Sequence, residues 1–182
     1  MIAVAVGFAF LLGHEASERA LLAARYTARA AFVAFTLVYL IGPAAKLWPG
    51  SVFRKLVAHR RQLGLATALI LAAHAIALAI NIGIYRPRPV SALVPGGVIY
   101  LLLLAMVLTS SDAAQRRMGR WWRRLHLLAL NALWIGFAAG YVLRLFKPDY
   151  FWVGALFAPV VVALPLIRLY ASLSGRTSPR PI

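Results

Sequence analysis

The sequence predicts an all-α integral membrane protein, a bundle of about six transmembrane helices of which the first is short. Of its 182 residues, 63% are hydrophobic and 13% are charged. A soluble domain has roughly 45–50% apolar and about 25% charged residues. The apolar residues are also collected into runs close to the 20 or so residues that a helix needs to cross a bilayer. We therefore expect residues 1–182 to form a single membrane domain.

Six apolar runs follow one another along the chain, and each predicts one helix. The predicted helices lie near residues 1–13, 27–45, 63–84, 90–108, 125–143 and 150–170. The first run, Met1–Leu12, would rise only about 18 Å as a helix, so a truncated or partly inserted helix is expected. Its more polar continuation, residues 15–25, is expected to lie at the membrane surface.

Proline and glycine mark the boundaries of these runs. Gly42-Pro43 and Pro49-Gly50 are expected to end the second helix, and Lys147-Pro148-Asp149 separates the fifth from the sixth. Pro87 and Pro89 separate the third from the fourth. Prolines inside a run are expected to kink or shorten the helix, and these are Pro95, Pro159 and Pro165.

The charge is strongly basic, with 20 Lys and Arg against four Asp and Glu. These basic residues lie between apolar runs, which favours contact with lipid headgroups over nucleic-acid binding. With six spans, thirteen of them fall on one side of the membrane and seven on the other. The richer side, which includes Arg176 and Arg180, is predicted to be cytoplasmic together with both termini.

Histidine is the only metal-ligating residue that the predicted spans offer. The absence of cysteine excludes disulfides, thiolate metal sites and covalently attached heme. No carboxylate lies within a span, which disfavours a proton relay, a Mg²⁺ or Ca²⁺ site and a Ser/His/Asp hydrolase. His74 lies in the middle of the third run, His126 just inside the fifth and His59 before the third. Imidazole with basic and aromatic neighbours suits heme iron and its propionates.

Three segments resemble the ferric-reductase-like transmembrane family. Residues 108–126, LTSSDAAQRRMGRWWRRLH, are similar to its second cytoplasmic loop, and RRQLGL at 60–65 followed by His74 resembles its third helix. YTAR at 26–29 is similar to the entry into its second helix. The likeness covers roughly residues 26–145 and is greatest to the heme-binding membrane subunits of periplasmic methionine sulfoxide reductase systems.

This resemblance implies a bacterial inner-membrane protein with b-type heme between its third and fifth helices. Such a subunit passes electrons from quinol or a cytoplasmic flavoprotein toward the periplasmic side. The chain is expected to lack a flavin or NAD domain, so a separate reductase, or a bound quinone in its reduced quinol form, would supply the electrons. Five arginines are expected to bind heme propionates or to dock a partner: Arg60, Arg61, Arg120, Arg123 and Arg124.

The resemblance implies His74 and His126 as heme ligands, with His59 as a weaker candidate. His74 lies about 20 Å along its helix from Arg61, whereas His126 follows Arg124 by two residues, so one heme shared by both is disfavoured. At the depth of His74 the family has a second histidine where this chain has Ala139. An outer heme would therefore have His74 alone, and an inner heme would need His59 opposite His126.

Other interpretations stay open. A member that has lost heme could serve as an accessory or assembly subunit of a larger membrane complex, which the absent histidine favours. His74 could simply hydrogen-bond a backbone carbonyl, Asn81 or Asn131, and His126 could be a solvated interfacial residue. Trp121, Trp122 and Trp134 are expected in an interfacial belt or in packing. A transporter finds little support without intramembrane acids.

Overall fold

A computed structural model describes Met1–Ser174 and confirms the all-α membrane fold. Within this range there is no strand, and the α-helices are α1 (Ile2–Leu12), α2 (Ala16–Leu47), α3 (Ser51–Ala58), α4 (Arg60–Ile80), α5 (Val90–Leu108), α6 (Asp112–Met118), α7 (Arg120–Val142) and α8 (Phe151–Ser174). Five helical segments are long and apolar enough to cross a membrane, and α1 is a shorter apolar helix. Arg176 and Arg180, which the predicted orientation counts as cytoplasmic, lie outside the described residues.

Helices α2 and α7 begin earlier than the apolar runs predict. α2 starts at Ala16 instead of near residue 27, and α7 starts at Arg120 instead of near residue 125. The added residues are rich in Ala, Leu, Glu and Arg, which favour helix even where they are too polar to span a bilayer. α2 also passes through Pro43 and ends at Leu47, where the Trp48 N–H donates to the Ala44 carbonyl at 2.8 Å. Pro43 therefore does not stop the helix.

α4 ends in a π-helical turn over Asn81–Tyr85, which completes the predicted third span. Asn81 is buried, and its side-chain oxygen accepts a hydrogen bond from Arg86 at 3.3 Å. Pro87 and Pro89 then separate α4 from α5, as predicted. The asparagine thus stabilises the end of this span through Arg86.

Pro159 and Pro165 lie inside α8, which continues across both. Proline has no N–H, so Pro165 leaves the carbonyl four residues earlier, that of Val161, without its helical donor. Trp134 of α7 donates its Nε1–H to this carbonyl at 2.9 Å. The two prolines therefore do not shorten α8, and a tryptophan of α7 donates the hydrogen bond that Pro165 cannot.

The described chain divides into two compact units. The first comprises Met1–Val38 and Arg61–Gly97, and its buried apolar side chains include Phe32, Phe35 and Leu71. Within it, the ring of Phe8 in α1 lies 6.0 Å from that of Tyr26 in α2. This aromatic contact attaches the short first helix to the second.

The second unit comprises Tyr39–Arg60 and the chain from Val98 onward. In it, α7 packs against α8 and against the 3₁₀ turn Leu143–Phe146, which leads toward α8. Tyr141 and Phe157 stack with their ring centres 4.8 Å apart, and Leu133 and Leu164 are buried. The core of this unit is therefore built largely from α7 and α8.

Gly154 is required where α8 meets the preceding turn. A Cβ added at this position would lie 2.8 Å from the backbone nitrogen of Leu145 and 3.0 Å from the carbonyl carbon of Arg144. Because backbone atoms cannot rotate away, we expect Gly154→Ala to destabilise the protein by about 1–3 kcal/mol. The measurement is the melting temperature in detergent micelles. Gly140→Ala is the control, since a Cβ at Gly140 meets nothing within 4 Å, and an equal loss in both variants would contradict the explanation.

Candidate functional site

His74 lies in the first unit, fourteen residues after the start of α4. At 1.5 Å per residue this is about 21 Å along the helix, in the middle of an apolar segment. Its Nδ1 lies 3.3 Å from Oγ1 of Thr27 in α2. Thr27 is fully buried, with 0% of its surface exposed. The histidine that the sequence places in mid-span therefore has a polar neighbour on another helix.

The hydrogen bonds around Thr27 assign the tautomer of His74. The hydroxyl donates its single proton to the Ala23 carbonyl at 2.6 Å, so toward His74 it can only accept. His74 also hydrogen-bonds the carbonyl of Ala24, which again only accepts. These oxygens place a proton on Nδ1, so in the neutral imidazole the lone pair lies on Nε2. Asn81, a predicted alternative partner, is bonded to Arg86 instead.

Thr27 is the site residue that the sequence did not single out. It stands in the YTAR segment that resembles the family, but threonines in helices commonly bond back to their own carbonyls, which gives no reason to expect a partner. The bond to His74 joins residues 47 positions apart. It depends on how α2 and α4 are rotated, which hydropathy does not determine.

His126 lies in the second unit and hydrogen-bonds two backbone carbonyls. Its Nδ1 donates to the carbonyl of Trp122 at 3.0 Å, and its ring stacks on that of Trp122 with centres 3.9 Å apart. It also hydrogen-bonds the carbonyl of Met106 at the end of α5. Each of the two histidines thus bonds one oxygen through Nδ1 and also hydrogen-bonds a backbone carbonyl. They differ in position, since His74 lies in the middle of its span and His126 lies near the start of α7.

Trp122 connects α7 to α5 in the same unit. Its Nε1–H donates to the carbonyl of Thr109 at 2.8 Å, just after α5 ends. Trp121 is by contrast 59% exposed, with the guanidinium of Arg124 4.9 Å from its ring centre. The belt position predicted for both tryptophans suits Trp121, whereas Trp122 holds the turn and supports His126.

The remaining predicted residues lie at the surface. His59 is exposed, caps the end of α3 and hydrogen-bonds the carbonyl of Lys55 through Nδ1 at 2.9 Å. The five arginines predicted to bind propionates or a partner are also exposed: Arg60, Arg61, Arg120, Arg123 and Arg124. Of these, Arg60 lies close enough to His126 to act on it electrostatically. Within Met1–Ser174, no group of three or more His, Cys, Asp or Glu side chains could hold a metal ion.

A shallow apolar groove of about 290 Å³ lies in the first unit. It is lined by residues of α1 and α2, namely Met1, Val4, Ala5, Phe8, Tyr26 and Ala30. An apolar lining of this kind accepts hydrocarbon, whether a lipid chain or a quinone tail. It contains no histidine and offers no ligand to iron.

No family model, no curated protein and no solved structure matches this chain. Its function is therefore inferred from the chemistry of its own side chains.

Proposed function

We propose that this chain is a heme-binding electron-transfer subunit of the bacterial inner membrane, with a ferric-reductase-like arrangement of helices. The observation that carries the proposal is the bonding of His74. Its Nδ1–H is directed to a buried hydroxyl, which leaves the Nε2 lone pair for iron. In heme proteins and other metal sites, a ligating histidine commonly donates its second ring N–H in this way.

The residues around His74 fit a b-type heme held by one histidine. Ala73, Ala75 and Ala77 lie within three residues of His74 in sequence, and their short side chains would admit a flat ring more readily than larger ones. Bound heme would supply a one-electron carrier in the middle of the membrane. In this assignment His74 holds the iron and Thr27 fixes the orientation of its imidazole.

A second protein ligand is not expected on this heme. The position of the family's other histidine is Ala139, which is exposed and has no atom that can bind iron. His126 lies near the start of α7, where its ring stacks on Trp122 and hydrogen-bonds the carbonyls of Trp122 and Met106. We therefore rank His74 first, His126 second and the exposed His59 third.

The electron donor would be a separate reductase or a quinol. The exposed arginines at the start of α7, Arg120, Arg123 and Arg124, form a basic surface suited to an acidic protein partner. The groove between α1 and α2 is apolar enough for the tail of a quinone. Electrons would then leave toward the periplasmic side.

The pyridine hemochrome spectrum of the purified protein tests this proposal. We expect a b-type spectrum at about one heme per chain when the protein is expressed with 5-aminolevulinate, because one imidazole is available to one iron. Protein that is folded and purified from the same membranes but contains no heme would contradict it.

The second candidate function is a subunit that has lost heme and serves in assembly or support of a membrane complex. Ala139 in place of a ligand, together with the hydrogen bonds that occupy His126, favours it. In that case His74 and Thr27 only hold α2 to α4. Co-purification of a stable partner with heme-free protein would support this second function.

A further inference from the structure

Two arginines of the second unit lie against one face of α2. A Cβ added at Gly42 would lie 3.9 Å from Nη1 of Arg60, and the guanidinium carbon of Arg168 lies 5.2 Å from the ring centre of Tyr39. Tyr39 and Gly42 are three residues apart and therefore neighbours on that face. The guanidinium groups of Arg60, at the start of α4, and of Arg168, in α8, thus lie near the same face of α2.

These positive charges lack a negative partner in the described chain. Arg60 and Arg168 repel each other. Neither arginine forms an ion pair with a carboxylate within Met1–Ser174. Holding like charges together without a counter-ion is unfavourable. The cluster is therefore suited to an anion supplied from outside the chain.

The position of the cluster indicates which anion. Arg168 is half-buried and lies six residues before the end of α8, about 9 Å inside it. The hydropathy pattern places it, Arg60 and the end of α2 at the predicted cytoplasmic edge of the bilayer. At that depth the abundant anions are lipid phosphates.

We propose that Arg60 and Arg168, flanked by Tyr39 and His126, bind the phosphate of an anionic phospholipid. Guanidinium groups match phosphate because they donate two parallel hydrogen bonds to its oxygens. Gly42 contributes by leaving space for the Arg60 side chain against α2. The lipid site uses neither His74 nor Thr27, so it does not depend on the proposed heme.

Thermal unfolding of delipidated protein in detergent tests the proposal. We expect added phosphatidylglycerol to raise the melting temperature and phosphatidylcholine of the same acyl chains to have little effect. At about fivefold per arginine near a membrane surface, Arg60→Gln/Arg168→Gln should weaken the apparent affinity for phosphatidylglycerol about 30-fold. Arg116→Gln/Arg117→Gln, which removes two exposed arginines of α6, is the matched control and should keep the affinity of the unmodified protein.

Gly42→Leu provides a second variant if the double substitution does not fold. It retains every charge and favours helix, but its side chain occupies the space of the Arg60 guanidinium, so the response to phosphatidylglycerol should also fall.

Four results would overturn the proposal. They are an equal response to phosphatidylcholine, an equal response to inorganic phosphate, the same loss in the α6 control, or loss of heme from the Arg60→Gln/Arg168→Gln variant with an unchanged lipid response. The last would assign the arginines to a heme propionate.

Discussion

Protein carrying His74→Gly is expected to lose nearly all of its heme b, and added imidazole is expected to restore it. The substitution removes the nitrogen that we assign to iron and leaves a space of the same shape as imidazole on α4. Removing an indirect partner of a metal ligand already costs about 10–100-fold in affinity, so loss of the ligand itself should exceed about 100-fold. The measurements are heme content per chain and the absorption spectrum before and after addition of imidazole.

Three further variants separate iron binding from general loss of structure. Thr27→Val keeps the shape of Thr27 but removes the hydroxyl beside Nδ1 and leaves His74 only the Ala24 carbonyl, so heme affinity should fall about tenfold and the reduction potential should shift. His14→Ala changes an exposed histidine and should retain heme. His126→Ala should retain the heme on His74. Unchanged spectra in His74→Gly, or heme loss only in His126→Ala, would refute the assignment.

The spans were predictable because bilayer crossing depends on a property that is summed over about 20 residues. The predicted helix bounds were less accurate, because residues of high helix propensity extend α2 and α7 into polar sequence that hydropathy excludes. The short helices α3 and α6 were missed because each has eight residues or fewer and lies in a basic connection between spans.

The partners of His74 could not be derived from sequence. His74 itself is conspicuous as the one ionisable side chain in the middle of an apolar run. Its contact with Thr27 depends on the rotation of two helices about their axes, and a hydroxyl that already bonds its own helix gives no sign of it. The hydrogen bond that compensates for the missing N–H of Pro165 is only partly predictable from sequence. The proline identifies Val161 as the carbonyl that lacks a donor, but only the structure identifies Trp134 as the donor.

Trp134→Phe is expected to destabilise the protein by about 1–3 kcal/mol, because it leaves the Val161 carbonyl without a hydrogen bond in a water-poor interior. The tryptophan Nε1–H is the donor that replaces the backbone N–H absent at Pro165. Pro165→Ala supplies that backbone donor again. In a Pro165→Ala background, Trp134→Phe should therefore cost about 1 kcal/mol less than in the unmodified protein. The measurement is the free energy of unfolding in mixed micelles for all four members of the cycle.

Pro159→Ala is the matched control for this cycle. It also restores a helical N–H in α8, but the carbonyl that gains the bond is that of Ala155, four residues before Pro159. Trp134 donates to Val161, two residues after Pro159. The effects of Trp134→Phe and Pro159→Ala should therefore add. If Trp134→Phe costs the same in the Pro165→Ala background as alone, the tryptophan contributes only its packing and α8 satisfies the Val161 carbonyl in another way.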